Sequence, residues 1–510
     1  MSSTASINHP ESGAELHHRI ARAVRSWLTG AARRCAWSLT LAGGLCAAQS
    51  TWPVDHGLVA VGRIPADTFD AGGPGRDSLG GISAIAIDES NVRREGDVLR
   101  GRLYALPDRG FADGGTDYRP RVLVFDFTLH PRKGAKATTR DGLRLTNTSI
   151  ILLTTTAGAF FTGFDADDAT WHDEPRTTPT SVGAGRRSLD PEGLVLMPGG
   201  GFIISDEYGP LVLRFDKAGA LSDTLFPRPG QRHASLPLAA DTLTPAFSSS
   251  AHLVSGRRSN RGLEGLTRSP DGNRLVGILQ GPLVQDGGQR ATAANTRILV
   301  WDNSRSSPTH GALIAEYVHE LAVVPGLDRP RRAGISEILA ISNTQLLILE
   351  RDNLGPGSNS ADSMQYKRIN IIDAMHATNL LATGFSLPVD APGHMALPET
   401  GLPESITPVA SAEFIDLLDE RQLASFGLNA NAPGAYNRNT LTQKWEGLAL
   451  AHARDPLAPD DWFLFVCNDN DFKAHRIVHN GQYVGQSDTP LDTIFLVYRV
   501  TLPRVTHHSR

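Results

Sequence analysis

The sequence predicts an all-β fold, a β-propeller-like ring of five to six meander blades with loop and short helical insertions. Three observations lead there. A unit of apolar run, turn, second run and third run recurs five times along the chain. The composition is turn-rich, with 50 Gly and 32 Pro in 510 residues, as an all-β meander requires. Each unit carries polar or acidic residues at the same edge, and unevenly spaced meanders of that kind suggest blades around a central channel.

The clearest unit opens with Asp190-Pro191-Glu192-Gly193-Leu194 and turns at Pro198-Gly199-Gly200-Gly201. It returns through Phe202 to Ser205 into Asp206-Glu207. A hairpin brings its two ends together, so four carboxylates share one edge, which is costly unless a cation or ligand neutralises them. Leu211 to Asp216 supplies the third run. A second unit runs from Asn260-Arg261-Gly262-Leu263-Glu264-Gly265-Leu266 to Leu275–Gln280 and Arg297–Asp302. Another runs from Lys444-Trp445-Glu446-Gly447-Leu448 to Trp462–Cys467, Asn468-Asp469-Asn470-Asp471 and Ile494–Arg499. Weaker copies begin at Gly80-Gly81-Ile82-Ser83 and at Ile335-Ser336-Glu337-Ile338. The units lie near residues 80–126, 190–216, 260–302, 335–373 and 444–500. In a propeller the inner strand's start and the second strand's end face one mouth, so the acidic residues of all blades converge there.

Between the units, Leu58 to Gly62 reads as a strand that closes the ring on a late strand, and Thr146 to Thr155 as an outer strand. Residues 162–187 are a polar loop over one mouth, with Asp165, Asp167, Asp168 and His172. Residues 227–259 are a second long connection. Residues 372–381 and 410–425 show helical spacing and leave room for a sixth blade. Asp126, Asp216, Asp302 and Asp373, each after a third run, read as turn caps.

Residues 1–48 differ from the rest. Arginines precede an apolar run that ends Cys46-Ala47-Ala48, the pattern of an export signal. Residues 49–510 then form a single propeller domain, expected in the periplasm or outside the cell. Removing the leader leaves 44 Lys+Arg against 52 Asp+Glu, an acidic balance that argues against nucleic acid as a partner. One cysteine remains, Cys467, inside an apolar run, so no intramolecular disulfide forms. No apolar run reaches the roughly 18 residues of a membrane span. The oligomeric state is not readable.

Together, Asp190-Pro-Glu-Gly-Leu with Ser205-Asp-Glu-Tyr-Gly-Pro, Asn260-Arg-Gly-Leu-Glu-Gly-Leu, Glu350-Arg-Asp, and Trp445-Glu-Gly-Leu with Asn468-Asp-Asn-Asp-Phe resemble the phytase-like family. Its bacterial members are called "esterase-like activity of phytase" proteins. The resemblance spans roughly Gly80 to Val500. It implies a secreted or periplasmic propeller, rich in acidic residues, that acts on phosphoesters. The first unit departs from the family's Gly-Gly-Leu-Ser-Gly with Ala84 after Ser83, and the fourth with Ser336-Glu337-Ile338.

Clustered carboxylates suit calcium, which takes six to eight oxygen ligands. The candidates are Asp190, Glu192, Asp206, Glu207, Glu264, Glu446, Asp469 and Asp471. Arg261, Arg351 and Arg109 are the candidate phosphate binders, since guanidinium pairs bidentately with phosphate oxygens. Glu192 and Glu264 are metal ligands or general base, and the sequence leaves their division of labour open. With Arg261 and Arg351 they form the candidate catalytic set for a small-molecule phosphoester. The chain has no G-x-S-x-G elbow, Walker loop, H-E-x-x-H or C-x-x-C. The expected function is a calcium-dependent phosphoric ester hydrolase. The alternatives are a non-catalytic binding propeller with structural calcium and a calcium-dependent lactonase or carboxylesterase.

Overall fold

Each recurring unit folds as one antiparallel sheet. The computed structural model describes residues 52–72, 76–133, 142–166, 186–208, 211–226, 255–358, 362–387, 389, 391–431 and 436–503. The first blade is β2 (Ile82–Ile87), β4 (Val98–Pro107), β5 (Arg121–Leu129) and β6 (Leu143–Leu152), with β3 (Arg93–Glu95) on the edge of β4. The second is β7 (Pro191–Leu196), β8 (Phe202–Asp206), β9 (Val212–Phe215) and β10 (Leu221–Phe226). The third is β11 (Leu263–Arg268), β12 (Arg274–Leu279), β13 (Asn295–Asp302) and β14 (Leu313–Glu320). The fourth is β15 (Gly334–Ala340), β16 (Gln345–Arg351), β17 (Lys367–Asp373) and β18 (Ala410–Asp416). The fifth takes β19 (Trp445–His452), β20 (Asp461–Asn468) and β23 (Thr493–Thr501) from the C-terminal part of the chain, and β1 (Val54–Ile64) from its start. A small hairpin, β21 (Ile477–His479) and β22 (Gln482–Gly485), is inserted between β20 and β23.

The pairing of β1 with β23 closes the ring, with Val61 opposite Leu496 and Gly62 opposite Phe495. It joins residues more than 400 positions apart and completes a sheet that would otherwise expose a long edge. The inner strands touch in the cyclic order β2, β7, β11, β15, β19 and back to β2. Each pair of adjacent blades encloses its own apolar cluster, such as Leu194, Phe202 and Leu213 with Leu106 and Val122 between the first two. A propeller core is thus five layers arranged radially, each fed by the alternating side chains of two sheets.

The Glu-Gly-Leu signature has a packing reason. A Cβ on Gly193 would lie 2.5 Å from Leu266 Cβ and 2.7 Å from Leu266 N on the next inner strand. One on Gly265 would lie 2.7 Å from Ile338 N, and one on Gly447 3.0 Å from Ile85 Cγ1. Neighbouring inner strands approach so closely there that a side chain has no room. Immediately before this contact every inner strand is irregular. Register shifts fall between Ile82 and Ala84, Pro191 and Leu194, Leu263 and Gly265, Ile335 and Glu337, and Trp445 and Gly447. A bulge of this kind re-aims the extra residue, here Ser83, Glu192, Glu264, Ser336 or Glu446.

The described residues hold five blades and no sixth. The helical expectation for residues 410–425 is corrected: Ala410–Asp416 is the outer strand β18, and only α1 (Glu420–Ala424) is helical. Strand β18 pairs in register with β17, and that ladder overrides the local spacing. The helix is capped by Asp419, whose carboxylate accepts from the N–H of Arg421 at 2.9 Å. In residues 372–381, β17 ends at Asp373 and a single 3-10 turn begins at Leu380. Asp216, Asp302 and Asp373 cap turns as expected, accepting from Ala218, Ser304 and Met375 N–H groups, whereas Asp126 pairs with Arg102 across the sheet. Cys467 is fully buried in β20. The expected export signal, residues 167–185 of the polar loop, and residues 227–254 lie outside the described residues.

Replacing Gly193 with alanine is expected to destabilise the protein by about 1–3 kcal/mol, because the intruding methyl meets backbone of the next blade. Urea unfolding of the Gly193→Ala variant measures it. Unchanged stability would mean that the inner strands separate without cost.

Candidate functional site

The five bulges set Ser83, Glu192, Glu264, Ser336 and Glu446 around one mouth of the channel. The second strands end at the same mouth. Asp108, Glu207, Gln280 and Asp469 follow the last ladder pairs there, and Arg351 stands in the last pair of the fourth blade, opposite Gly334. Asp190 and Lys444 precede the bulges of the second and fifth blades by two residues. Of these, Asp108, Glu192, Glu207, Glu264, Gln280, Arg351, Lys444 and Glu446 line a cavity of about 870 Å³, to which Arg109, Arg258, Arg261, Arg331 and Asp471 also contribute.

Charge is distributed unevenly around this mouth. In the second blade Asp190, Glu192 and Glu207 are all buried, and one carboxylate oxygen of each lies within 4.8 Å of the others. Asp190 is met by Arg109, with Nη1 3.1 Å from Oδ2 and the backbone N–H donating to Oδ1 at 3.2 Å. Burial and Glu207 nevertheless push the Asp190 carboxyl up to about 7, against the pull of Arg109. Glu192 and Glu207 take no side-chain hydrogen bond from the described residues. Burial, and then Glu264 and Asp190, hold Glu192 well above the usual carboxylate range. Glu264 is raised too, by burial and by Glu207. Its Oε1 accepts from Gln280 Nε2 at 2.7 Å, while Oε2 is buried without a partner.

Across the channel the carboxylates have cations. Lys444 contacts Asp469 directly, lies 3.0 Å from Asp471 and 3.8 Å from both Asp108 and Glu446. Burial raises Asp469 to about 7, whereas Lys444 and Lys473 outweigh burial at Asp471 and hold it at about 2. Glu446 is bound by Arg351 Nη2 at 2.5 Å and by Ser83 Oγ at 3.2 Å. Arg351 is engaged on all sides, donating also to Ser336 Oγ at 2.9 Å and Asn353 Oδ1 at 2.5 Å. The Arg261 side chain has no such partner among the described residues. Burial and the neighbouring Arg258 lower its guanidinium to about 10.

The sequence profile of the phytase-like family, described as esterase-like activity of phytase, matches residues 77–472. The chain belongs to the phytase-like family. A protein of Arthroderma benhamiae described as an uncharacterized secreted protein is 31% identical over 459 residues, 82% of this chain and 87% of that one. Two solved structures are more distant. One, provisionally assigned as a glycoside hydrolase, from Parabacteroides distasonis ATCC 8503, is 9% identical over 88% of this chain and 97% of that one, with a TM-score of 0.31. The other, provisionally assigned as a 6-phosphogluconolactonase, from Bacteroides uniformis ATCC 8492, is 12% identical over 82% and 90%, with a TM-score of 0.24. Among the described residues no helix is long and apolar enough to cross a membrane.

In this phytase-like chain, Asp190, Glu192, Glu207 and Glu264 gather on one side of the mouth. Glu446, Asp469 and Asp471 gather on the other, around Arg351 and Lys444. Asp206 lies behind the site, where its Oδ1 accepts the Asp190 N–H at 2.9 Å. Sequence reasoning missed Lys444, Asp108, Gln280, Ser83 and Ser336. Lys444 was findable, because it precedes Glu446 by the same two residues that separate Asp190 from Glu192.

The second-blade carboxylates fit a calcium ion. Glu207 Oε1 and Glu264 Oε2 are buried acceptors without a hydrogen bond, and Asp190 Oδ2 has only its ion pair with Arg109. Calcium–oxygen bonds of about 2.3–2.6 Å place two ligands of one ion up to roughly 5 Å apart, which accommodates the observed cluster. The donors are all hard oxygens, with no His or Cys among them.

The raised carboxyls give stability a definite pH dependence when no metal is bound. Asp190 and Asp469 keep their protons to about 7 in the folded chain and release them near 4 when unfolded. Folding therefore favours proton uptake between these values, and stability falls as pH rises from about 4 through 7. Urea titrations in chelator across that window test this; stability that holds or rises would show that the chain neutralises these carboxylates unaided.

Proposed function

We propose that the protein is an exported, calcium-dependent phosphoric ester hydrolase with its site at the acidic mouth. The observation that carries this reading is the presence, in one polar cavity, of the buried carboxylates Glu192, Glu207 and Glu264 and of the Arg261 guanidinium, which makes no hydrogen bond or ion pair with the described residues. A phosphoester needs both: a place for a cation and a donor for its own oxygens. A lactone would want an apolar cleft, and this mouth is lined by charge. The secreted relative favours export.

In this reading Asp190, Glu192 and Glu207 hold the ion, which when bound neutralises them and polarises a phosphoryl oxygen. Arg261 binds the phosphoryl oxygens. Glu264 is the base: Gln280 fixes one of its oxygens, the other has no hydrogen bond among the described residues, and burial raises its carboxyl and so its basicity. The water oxygen bonds to phosphorus as the P–O ester bond breaks; Glu264 takes the water's proton, and the ester oxygen leaves with the bond's electron pair and takes a proton from solvent. Arg351 holds Glu446 in place, and Lys444 the carboxylates of the fifth blade. That full engagement of Arg351 favours a second reading, a non-catalytic propeller in which calcium is structural.

Phosphate release from phosphomonoesters and phosphodiesters, with calcium and with chelator, separates the two. The expected result is calcium-dependent turnover. Glu264→Gln should lower kcat by about 10²–10⁴-fold, and Glu192→Gln should raise the calcium requirement. Absence of turnover of these esters, a phenyl ester and a lactone by folded, calcium-loaded protein would leave the binding reading.

A further inference from the structure

The channel has a second mouth. The inner strands meet the acidic site at their starts, and their far ends enclose a cavity of about 380 Å³. Three residues on from Ala84, Gly193, Gly265, Glu337 and Gly447, the five strands place Ile87, Leu196, Arg268, Ala340 and Leu450 at equivalent positions. All five line this cavity, and so do the two residues before each of them. In these three layers only Thr267 and Arg268 are polar. Thr267 Oγ1 accepts the Ala340 N–H at 3.0 Å, which leaves Arg268 as the polar break in an apolar funnel. The volume falls in the ~300–1,000 Å³ range of small-molecule sites, which combine apolar walls with a few placed polar groups.

Arg268 is half-buried at the end of β11, and burial holds its guanidinium below the ordinary arginine range. Its Nε donates to Gly272 O at 3.2 Å, and it makes no ion pair with the described residues. Asp271 reaches it only through space. The oxygens of Asp271 accept from Ser269 Oγ at 2.6 Å, Asn273 N–H at 2.9 Å and Asn343 Nδ2 at 3.0 Å. The acidic groups of the lining lie away from Arg268 or are satisfied. Glu89, on the turn after β2, accepts the His452 N–H at 2.8 Å and pairs with Arg454 at 3.0 Å. Asp460 belongs to the turn before β20 in the fifth blade, which is not a neighbour of the third. Glu337, at the inner end, accepts the Leu266 and Ile338 N–H groups through one oxygen, and burial favours its neutral form.

We propose that this far mouth is a binding site for a small apolar carboxylate, with its hydrocarbon part in the funnel and its head on Arg268. The guanidinium N–H groups that Gly272 does not use donate charge-assisted hydrogen bonds to the head. The hydrocarbon displaces water from walls of Leu, Ile and Ala, a gain that scales with the apolar area covered. The site shares no lining residue with the acidic mouth and does not depend on the chemistry there.

Calorimetric titration of the full mature protein with decanoate, decanol and decylammonium, each below its micelle-forming concentration, tests the site. Decanoate should bind the wild type most tightly of the three. Arg268→Gln should weaken decanoate roughly tenfold or more and leave decanol unchanged. Arg268→Lys, which keeps the charge, should retain part of the decanoate affinity. Ala86→Phe fills the middle layer of the funnel and should weaken decanoate and decanol alike. Unfolding midpoints of the ligand-free variants show whether each is folded, and Arg268→Gln decides alone if Ala86→Phe is not. No decanoate binding by the wild type overturns the site, as does decanoate affinity unchanged in folded Ala86→Phe. Decanol or decylammonium binding as tightly as decanoate, or equal decanoate affinity in Arg268→Gln, overturns the carboxylate assignment.

Discussion

Five inner strands packed around a narrow axis leave almost no space between neighbouring backbones, and that crowding dictates the rest of the site. Where Gly193 faces Leu266, Gly265 faces Ile338 and Gly447 faces Ile85, the strands meet without an intervening side chain. The bulge just before each contact turns one residue per blade toward the mouth. Glu-Gly-Leu therefore joins two requirements in adjacent positions, a side chain for the channel and none for the neighbour. Where the signature is broken, the chain finds substitutes. Ala84 stands at the glycine position of the first blade. Glu337 stands there in the fourth, folding its carboxylate back to accept from the Leu266 and Ile338 N–H groups at 3.2 and 2.9 Å.

Convergence concentrates carboxylates in a buried place, and the blades answer differently. The fifth supplies its own cation in Lys444, the fourth lends Arg351 to Glu446, and the first offers Arg109 to Asp190. Nothing described does the same for Glu192, Glu207 or the outer oxygen of Glu264. An isolated buried carboxylate resolves its cost by holding its proton, and the raised pKa values of Glu192 and Glu264 are that response in a chain without a bound ion. A divalent cation would resolve the same cost by another route.

Much of this was legible because hairpins translate sequence proximity into spatial proximity. Asp190, Glu192 and Glu207 follow from one turn, and the closing strand from the apolar run Leu58 to Gly62. The outer strand β18 was not legible, since its pairing with β17 across a long insertion is absent from its own spacing. Pairing between blades was equally hidden. Ser83 reaches Glu446 across 363 positions and Arg351 reaches it across 95, contacts that only ring closure creates. For the same reason the sequence offered Arg351 and Arg261 as equivalent, although one is saturated by neighbours and the other is not.

That difference gives the mouth a direction. A perfectly fivefold ring of Glu would have no preferred orientation for a ligand, and would repel every anion equally. Ser83 and Ser336 break the acidic circuit at the first and fourth blades, and Ser336 helps to hold Arg351 on that side. The second blade is left with more carboxylates than direct cation partners, and Arg261, beside the third and fourth blades, meets Glu207 and Glu264 only through space. A small anion entering the channel meets a field that turns it, its negative groups toward Arg261 and away from Glu192 and Glu207. Orientation of this kind comes from the departures from repetition, and the weaker, irregular repeats are thus part of what makes the acidic mouth a usable site.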